Sequence, residues 1–267
     1  MPVGLTVAGV FLVLVVVAVA WPGLFAPTDP LRIDLTIAHS APSLHHPFGT
    51  DQLGRDVWTR VVHGARLSVF IGVSATLLAV AVGVPLGLLA GLGNRGVDTV
   101  LSRFFDLIGA FPEILLALVL ITLTGTGTTN LILAIGIASS PRFARVMRAE
   151  TRGVAGTGYV THARLTSRTH RHIVGRHILP NAVTTLPVLI TLGLGTSILG
   201  AAALSFLGFG PQPPTPEWGS MLAEARDDLR IAWWSVFFPG LAITATVIAS
   251  TVVGRATARR FEHRDPR

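Results

Sequence analysis

The sequence predicts an all-α integral membrane protein, a bundle of six transmembrane helices. Half of its 267 residues are hydrophobic and only 13% are charged. Uncharged or nearly uncharged runs of about 20 residues, enough for a helix to cross a bilayer, recur along the chain. A soluble domain of this length would carry roughly twice that charged share, and the mean hydropathy is +0.62. The formal net charge of +7 is spread over short stretches between apolar runs. A nucleic-acid surface needs basic residues interleaved with aromatics on one polar face, so no nucleic-acid partner is expected. All 21 basic residues are arginine and there is no cysteine. This excludes a disulfide framework, a thiolate metal site and a cysteine nucleophile.

Val3 to Trp21 is the first span and carries no charge. Ala18-Val19-Ala20 resembles a signal-peptide cleavage site, but a basic leader is missing and the apolar run exceeds the usual 7–15 residues or so. A retained anchor is expected. The stretch to residue 66 holds Pro22, Pro27, Pro30, Pro42 and Pro47, which predicts irregular backbone in its first half, with an interfacial helix over 54–66. Asp51, Arg55 and Asp56 there suit either a local salt-bridged cap or contact with a partner.

Five further spans follow at about Leu67–Leu92, Phe104–Leu123, Asn130–Met147, Ile178–Leu207 and Ala232–Val253. Pro187 should kink the fifth. Gly83, Gly87, Gly91, Gly193 and Gly195 would let helices approach closely. The expected organisation is an N-terminal anchor and external segment (1–66), a five-helix core (67–255) and a tail (256–267).

Fifteen of the 21 arginines fall in 94–105, 142–177 and 254–267. The positive-inside rule puts those segments and both termini in the cytoplasm. The five tryptophans, Trp21, Trp58, Trp218, Trp233 and Trp234, then lie outside or at the outer interface. Glu217, Glu224, Asp227 and Asp228 occupy a second external loop suited to docking.

The segment between spans four and five, 148–177, is longer than the 2–8 residues or so of a passive helix connection. Tyr159 to Arg171 lacks Gly and Pro and reads as a short helix along the membrane face. Leu179-Pro180 would open the fifth span, since proline suits a helix start. Taken alone, a basic loop of this kind equally suits contact with anionic lipid headgroups.

Glu113 is the acidic residue well inside a predicted span. Intramembrane carboxylates are candidates for a pathway or gating role, although Glu113 follows Phe111-Pro112 and could instead serve exposed backbone. The nine histidines offer no metal site: His170 and His172 are two apart, His45 and His46 adjacent, and neither pair shares a helix face. Arg168, His172 and Arg176 form a cationic stripe. No nucleophile–base pair or cofactor fingerprint appears, so no catalytic residue is expected. Gly125-Thr126-Gly127-Thr128 lacks the lysine of a phosphate-binding loop and reads as a turn.

Several runs resemble one family. Tyr159-Val160-Thr161-His162-Ala163, then Arg164 and Ser167, then His177-Ile178-Leu179-Pro180-Asn181 resemble the Glu-Ala-Ala loop of binding-protein-dependent ABC importer permeases. Here Ala163 and Leu179-Pro180 match, while the glutamate and glycine are replaced by Thr161 and Ser167. His46-Pro47-Phe48-Gly49-Thr50-Asp51-Gln52-Leu53-Gly54-Arg55-Asp56 and Gly64-Ala65-Arg66-Leu67-Ser68 look like the C-type permease subunits of dipeptide and oligopeptide importers. So do Asp106 with Ala110-Phe111-Pro112, Leu204 to Gly210, Gln212-Pro213-Pro214, Trp218-Gly219 and Trp233-Trp234.

The resemblance implies a type I ABC importer permease fold with a cytoplasmic coupling helix. Tyr159, Thr161, His162, Ala163, Arg164, Ser167, Leu179 and Pro180 would form the loop that couples to the ATPase. It also implies a second homologous permease chain, two ATPase subunits or a fused one, and an extracytoplasmic substrate-binding protein. ATP and Mg would be bound by the ATPases and no cofactor by this chain. The cargo would be di- or oligopeptides, with haem, a nickel complex or glutathione as alternatives within the family. A proton-coupled carrier using Glu113 is the rival from another class, although such carriers often show inverted repeats and none is evident. A structural anchor or channel subunit is a third reading.

Overall fold

The computed structural model describes residues 3–165 and 169–262, and these form helices joined by turns, with one isolated bridge between Thr50 and Asp56. The first helix, α1 (Val3–Ala20), buries only Ala8 and packs on the outside of the bundle. A loop with two single 3-10 turns, 22–24 and 35–37, leads to α2 (Val57–Leu92), which is 36 residues long. The Asp56 side chain caps α2 by accepting from the Thr59 amide at 2.8 Å, satisfying one of the orphan donors of the first turn.

The interfacial helix expected over 54–66 is therefore the start of α2, and the boundary drawn at residue 66 falls inside one continuous helix. Arg60 and Arg66 made this stretch look external, but both are partnered within the fold. Arg66 donates to the carbonyls of Val19 and Ala20 at 3.0 and 3.2 Å, closing the C-terminus of α1.

The third expected span is not one helix. α3 (Arg95–Gly109) and α4 (Glu113–Thr124) meet at an 88° bend. Phe111 precedes Pro112, which disfavours the α conformation, and Pro112 caps α4 with ψ near 130°. α5 (Thr128–Ala155) runs well past the expected end at Met147, for about 42 Å. Arg142, placed in the loop by its charge, is thereby mid-helix.

Next come α6 (Gly158–Leu165) and α7 (His170–Ile173). A π-turn at Val174–Ile178, α8 (Leu179–Ala182), a 3-10 turn at Val183–Thr185 and α9 (Leu186–Phe206) follow. α10 (Trp218–Ala225) and α11 (Trp234–Glu262) complete the described chain. Arg171–Phe206 qualifies as a single membrane span, so Leu179-Pro180 lies within it and does not start it. Pro187 sits one position inside α9, after the 3-10 turn, where its missing amide breaks no hydrogen bond.

Among the described residues four helices are long and apolar enough to cross a membrane, and the α3–α4 pair makes a fifth if counted as one broken span. α5 has the length but carries Arg142, Arg145, Arg148 and Arg152.

The centre of the bundle is where α2, α4, α5 and α9 meet, around Ile71, Ile121, Leu131, Ile135 and Leu204. α2 and α5 approach closest, along Gly83, Gly87 and Gly91. A Cβ on Gly87 would stand 2.4 Å from the Ala144 carbonyl oxygen, and one on Gly83 2.5 Å from that of Ser140. The close approach expected of these glycines is thus realised, at successive turns of one face.

Residues 22–56, the α4–α5 turn, and 207–233 gather at one end of the bundle, termed the cap end. The opposite, loop end holds the α2–α3 turn and α6. At the cap end Trp58, Trp218 and Trp234 each donate an indole N–H to a backbone carbonyl at 2.9 Å, of Phe25, Val61 and Thr50 respectively. Phe48 stacks on Phe238 with ring centroids 3.7 Å apart. Trp218 and Trp234 are buried, so they knit the cap rather than forming an exposed interfacial belt, whereas Trp21 and Trp233 are exposed. Gly54 has φ +70°, and a Cβ there would lie 1.8 Å from the Asp34 carbonyl oxygen. Only glycine closes this turn.

Candidate functional site: the loop-end helix and the intramembrane charges

α5 ends where the Gly156 amide donates to Arg152 O and the Thr157 hydroxyl to Val154 O. After this two-residue turn α6 starts. Its inward face is Val160 and Ala163, three residues apart and buried with Ile173 and Ile178 against Leu92, Val154, Ala155 and Val174. Its outward face presents Thr161 and His162, with Tyr159 47% and Leu165 79% exposed. Arg164 belongs to α6, and Ser167 lies outside the described residues, as does Arg168 of the cationic stripe.

Of the residues grouped from the sequence, Tyr159 of α6 approaches the segment that carries Leu179 and Pro180, at His177. The Tyr159 ring lies 6.2 Å from the His177 ring, and Asn181 Nδ2 donates to the His177 carbonyl at 2.6 Å. Leu179 and Pro180 adjoin this point, with Leu179 38% exposed. Pro180 has no N–H and its ring would clash with a carbonyl four residues back. The π-turn just before it answers this: the Leu179 amide bonds five residues back, to Val174 O, and wide turns of this kind give the proline room.

Sequence reading missed the apolar tip Leu165. It also missed an ion-pair cluster beside α6. Asp98, in the first turn of α3, accepts from Arg148 Nε at 2.5 Å and Nη2 at 2.9 Å, and Arg152 Nη2 stands 2.6 Å away. Arg148 and Arg152 are four apart on α5, a spacing visible in the sequence. Their acidic partner, some 50 residues upstream, was not.

Glu113 is the first residue of α4, at the 88° bend, and is partly buried. The Ser139 hydroxyl of α5 lies 2.5 Å from its Oε1. One turn on, Pro141 leaves the Ile137 carbonyl without its helical donor, and the Ser140 hydroxyl bonds it at 2.8 Å. Among the described residues no group of three or more His, Asp or Glu side chains could hold a metal ion.

Four cap-end carboxylates, Asp51, Asp56, Glu217 and Glu224, are committed to the fold, whereas Asp227 of the second loop is 86% exposed. Arg55 bonds Asp51 and Glu224 at 2.6 and 2.5 Å, and Arg60 reaches Glu224 at 3.2 Å. Asp56 pairs with His46 at 3.0 Å. Glu217, 1% exposed, caps α10 through the amides of Gly219 and Ser220 and accepts from Ser68. The local cap expected for Asp51, Arg55 and Asp56 is present, and Glu224 from the second loop completes it.

This helical bundle, with its broken third span and its short amphipathic helix between two long ones, shares its fold with chains of solved ABC transporters. Its fold matches a chain of an inward-facing MetNI methionine ABC transporter with a TM-score of 0.63 at 17% identity, over 78% of this chain and 97% of that one. It also matches a chain of an amino acid ABC transporter crystallised with histidines, with a TM-score of 0.52 at 22% identity, over 73% and 91%.

The particular family follows from the sequence. Residues 83–264 match the binding-protein-dependent transport system inner membrane component family, and the chain belongs to it. It is 40% identical over 248 residues to the glutathione transport system permease protein GsiD of Pectobacterium atrosepticum, covering 92% of this chain and 82% of that protein. It is 42% identical over 213 residues to the dipeptide transport system permease protein DppC of Alkalihalophilus pseudofirmus, covering 80% and 70%. GsiD of Escherichia coli O6:K15:H31 is 43% identical over 248 residues, covering 92% and 82%. The chain is thus a multi-pass membrane component of a transport system.

Proposed function

We propose that this chain is the permease subunit of an ATP-driven importer that carries short peptides, dipeptides to oligopeptides and glutathione among them, into the cytoplasm. It catalyses no reaction itself. ATP and Mg are bound in two separate ATPase subunits, or a fused one, docked at the loop end. A second homologous permease chain completes the path, and a substrate-binding protein delivers cargo at the cap end. The loop end and both termini face the cytoplasm, as the arginine distribution favours.

The observation that carries this reading is α6. It is an eight-residue helix tied by Val160 and Ala163 to the ends of α2, α5 and the π-turn, with Tyr159 and Leu165 turned outward. An apolar anchor on a rigid short helix suits a groove in a partner. Force on α6 reaches the bundle by two routes: directly through the Gly156 turn into α5, and through His177 into the π-turn and α9. Glu113, at the break between α3 and α4, lines the path that those movements open.

The test is reconstitution in liposomes with the neighbouring permease, ATPase and binding protein, measuring uptake of a labelled di- to pentapeptide pool. Uptake should need ATP and every component. It should fall about tenfold or more in Leu165→Asp, the loss typical of an interface anchor, and also in Leu179→Asp. Uptake by this chain alone, driven by a proton gradient and abolished in Glu113→Gln, would instead make it a carrier.

A further inference from the structure

Arg142 is a charge at the depth of the apolar bundle. The next residue, Phe143, has its Cβ against Gly83, nine residues and about 14 Å before α2 ends at Leu92. From there the Arg142 side chain crosses to α9, where Nη2 donates to the exposed Thr196 hydroxyl at 3.0 Å, with the Phe143 ring 5.4 Å from the guanidinium carbon. Arg148 and Arg152, further along the same helix, share Asp98 as a counter-ion. Arg142 forms no ion pair among the described residues, and one of its five donors is used by Thr196.

A carboxylate lies close by and is likewise without an ion pair among the described residues. Glu113 meets α5 at Ser139, and Ser139 and Arg142, three apart, share a helix face with an axial separation of about 4.5 Å. The α9 side of this place is open: Thr196 is exposed, and Leu199, three residues on along the same face, is 51% exposed. α1 packs elsewhere, on α2 and α11. Acyl chains solvate neither a guanidinium nor a carboxylate at this depth, so such a face turns towards a water-filled path or another chain. Two opposite charges, held apart by different helices and each with free hydrogen-bonding capacity, complement a zwitterion.

We propose that Glu113 and Arg142 are the two poles of a subsite on the translocation path that reads the termini of a short peptide. The Glu113 carboxylate receives the α-ammonium, and the Arg142 guanidinium binds the terminal carboxylate through paired N–H donors. Thr196 and Ser139 position the two poles. The inference rests on the importer reading given above.

The test uses the complete complex in proteoliposomes, at peptide concentrations that saturate the binding protein. ATP-driven uptake of a labelled dipeptide is compared with that of its C-terminal amide and its N-acetyl derivative. The Arg142→Gln complex should lose about tenfold of the preference for the free carboxylate over the amide, the size of a charged hydrogen-bond contact at a recognition site. Arg142→Lys should retain part of it. Glu113→Gln should lower the preference for the free amine and leave the amide ratio unchanged. These ratios are taken within one preparation, so poor assembly cancels. Unchanged ratios, or an equal fall for all three peptides, would overturn the subsite and leave the importer standing. A wild-type complex that imports nothing with ATP would sink the importer reading itself.

Discussion

Single charges set the local stability of this bundle, in proportion to their distance from water. Arg60 is the extreme case, with its side chain 2% exposed and held between Glu224 and Asp51. Removing one partner of a buried pair strands the other and costs about 3–5 kcal/mol. Arg60→Met should therefore lower the thermal midpoint of the purified protein steeply. Glu224→Gln added to it should recover part of the loss, because residues in one network are not additive. Independent, additive effects of the two changes would refute the coupling. Asp98 sits nearer solvent, with its arginines 29% and 45% exposed. Screening reduces what such pairs contribute, and Asp98→Asn should cost on the order of 1–2 kcal/mol. Even so, the cluster ties α3 to α5 just before α6. The variant should therefore transport fewer peptides per ATP hydrolysed, which parallel uptake and ATPase assays would read.

Packing between elements depends on the absence of side chains as much as on their presence. α2 and α5 touch through glycine on one side and backbone carbonyls on the other. Gly87→Ala should cost about 1–3 kcal/mol or more, since a rigid carbonyl cannot move aside, whereas Gly9→Ala on α1, with nothing within 4 Å, should be neutral to stabilising. Comparing the two midpoints in the same detergent separates close approach from general helix propensity, which favours alanine at both sites. This contact was legible in the sequence, because glycines four apart on an apolar helix leave little else to explain them. The break at 110–112 was hidden because 104–123 is apolar enough to read as one span despite Asp106 and Glu113, and hydropathy records nothing of backbone direction; Pro112 was the available signal. The early start of α2 was hidden for the opposite reason. Arg60 and Arg66 advertise an external segment, and the groups that neutralise them, Glu224 and the carbonyls of Val19 and Ala20, come from distant parts of the chain. In the segment proposed to couple to the ATPase, Tyr159, Leu179 and Pro180 were singled out by pattern, but Leu165 was not. An apolar residue in a basic loop gains meaning only once α6 shows which way it points.

On the scale of the whole molecule the two ends differ in kind. The cap end is stitched by buried ion pairs, indole hydrogen bonds and the Phe48–Phe238 stack, which makes it a rigid platform. The loop end is held by a small apolar cluster and the Asp98 pairs, and its connections run through a π-turn and a two-residue turn, so it is the end suited to movement. The proposed function requires the mobile end to be cytoplasmic, where ATP is, and the rigid end to face the delivering protein. That polarity can be measured directly because the chain has no cysteine, so a single introduced one is an unambiguous reporter. Leu44→Cys, at a fully exposed cap-end position, should react with a membrane-impermeant maleimide in intact cells. Gly96→Cys, exposed at the start of α3, should react only after the membrane is permeabilised. The opposite pattern would put α6 outside the cell, beyond reach of any ATPase, and the importer mechanism would fall with it.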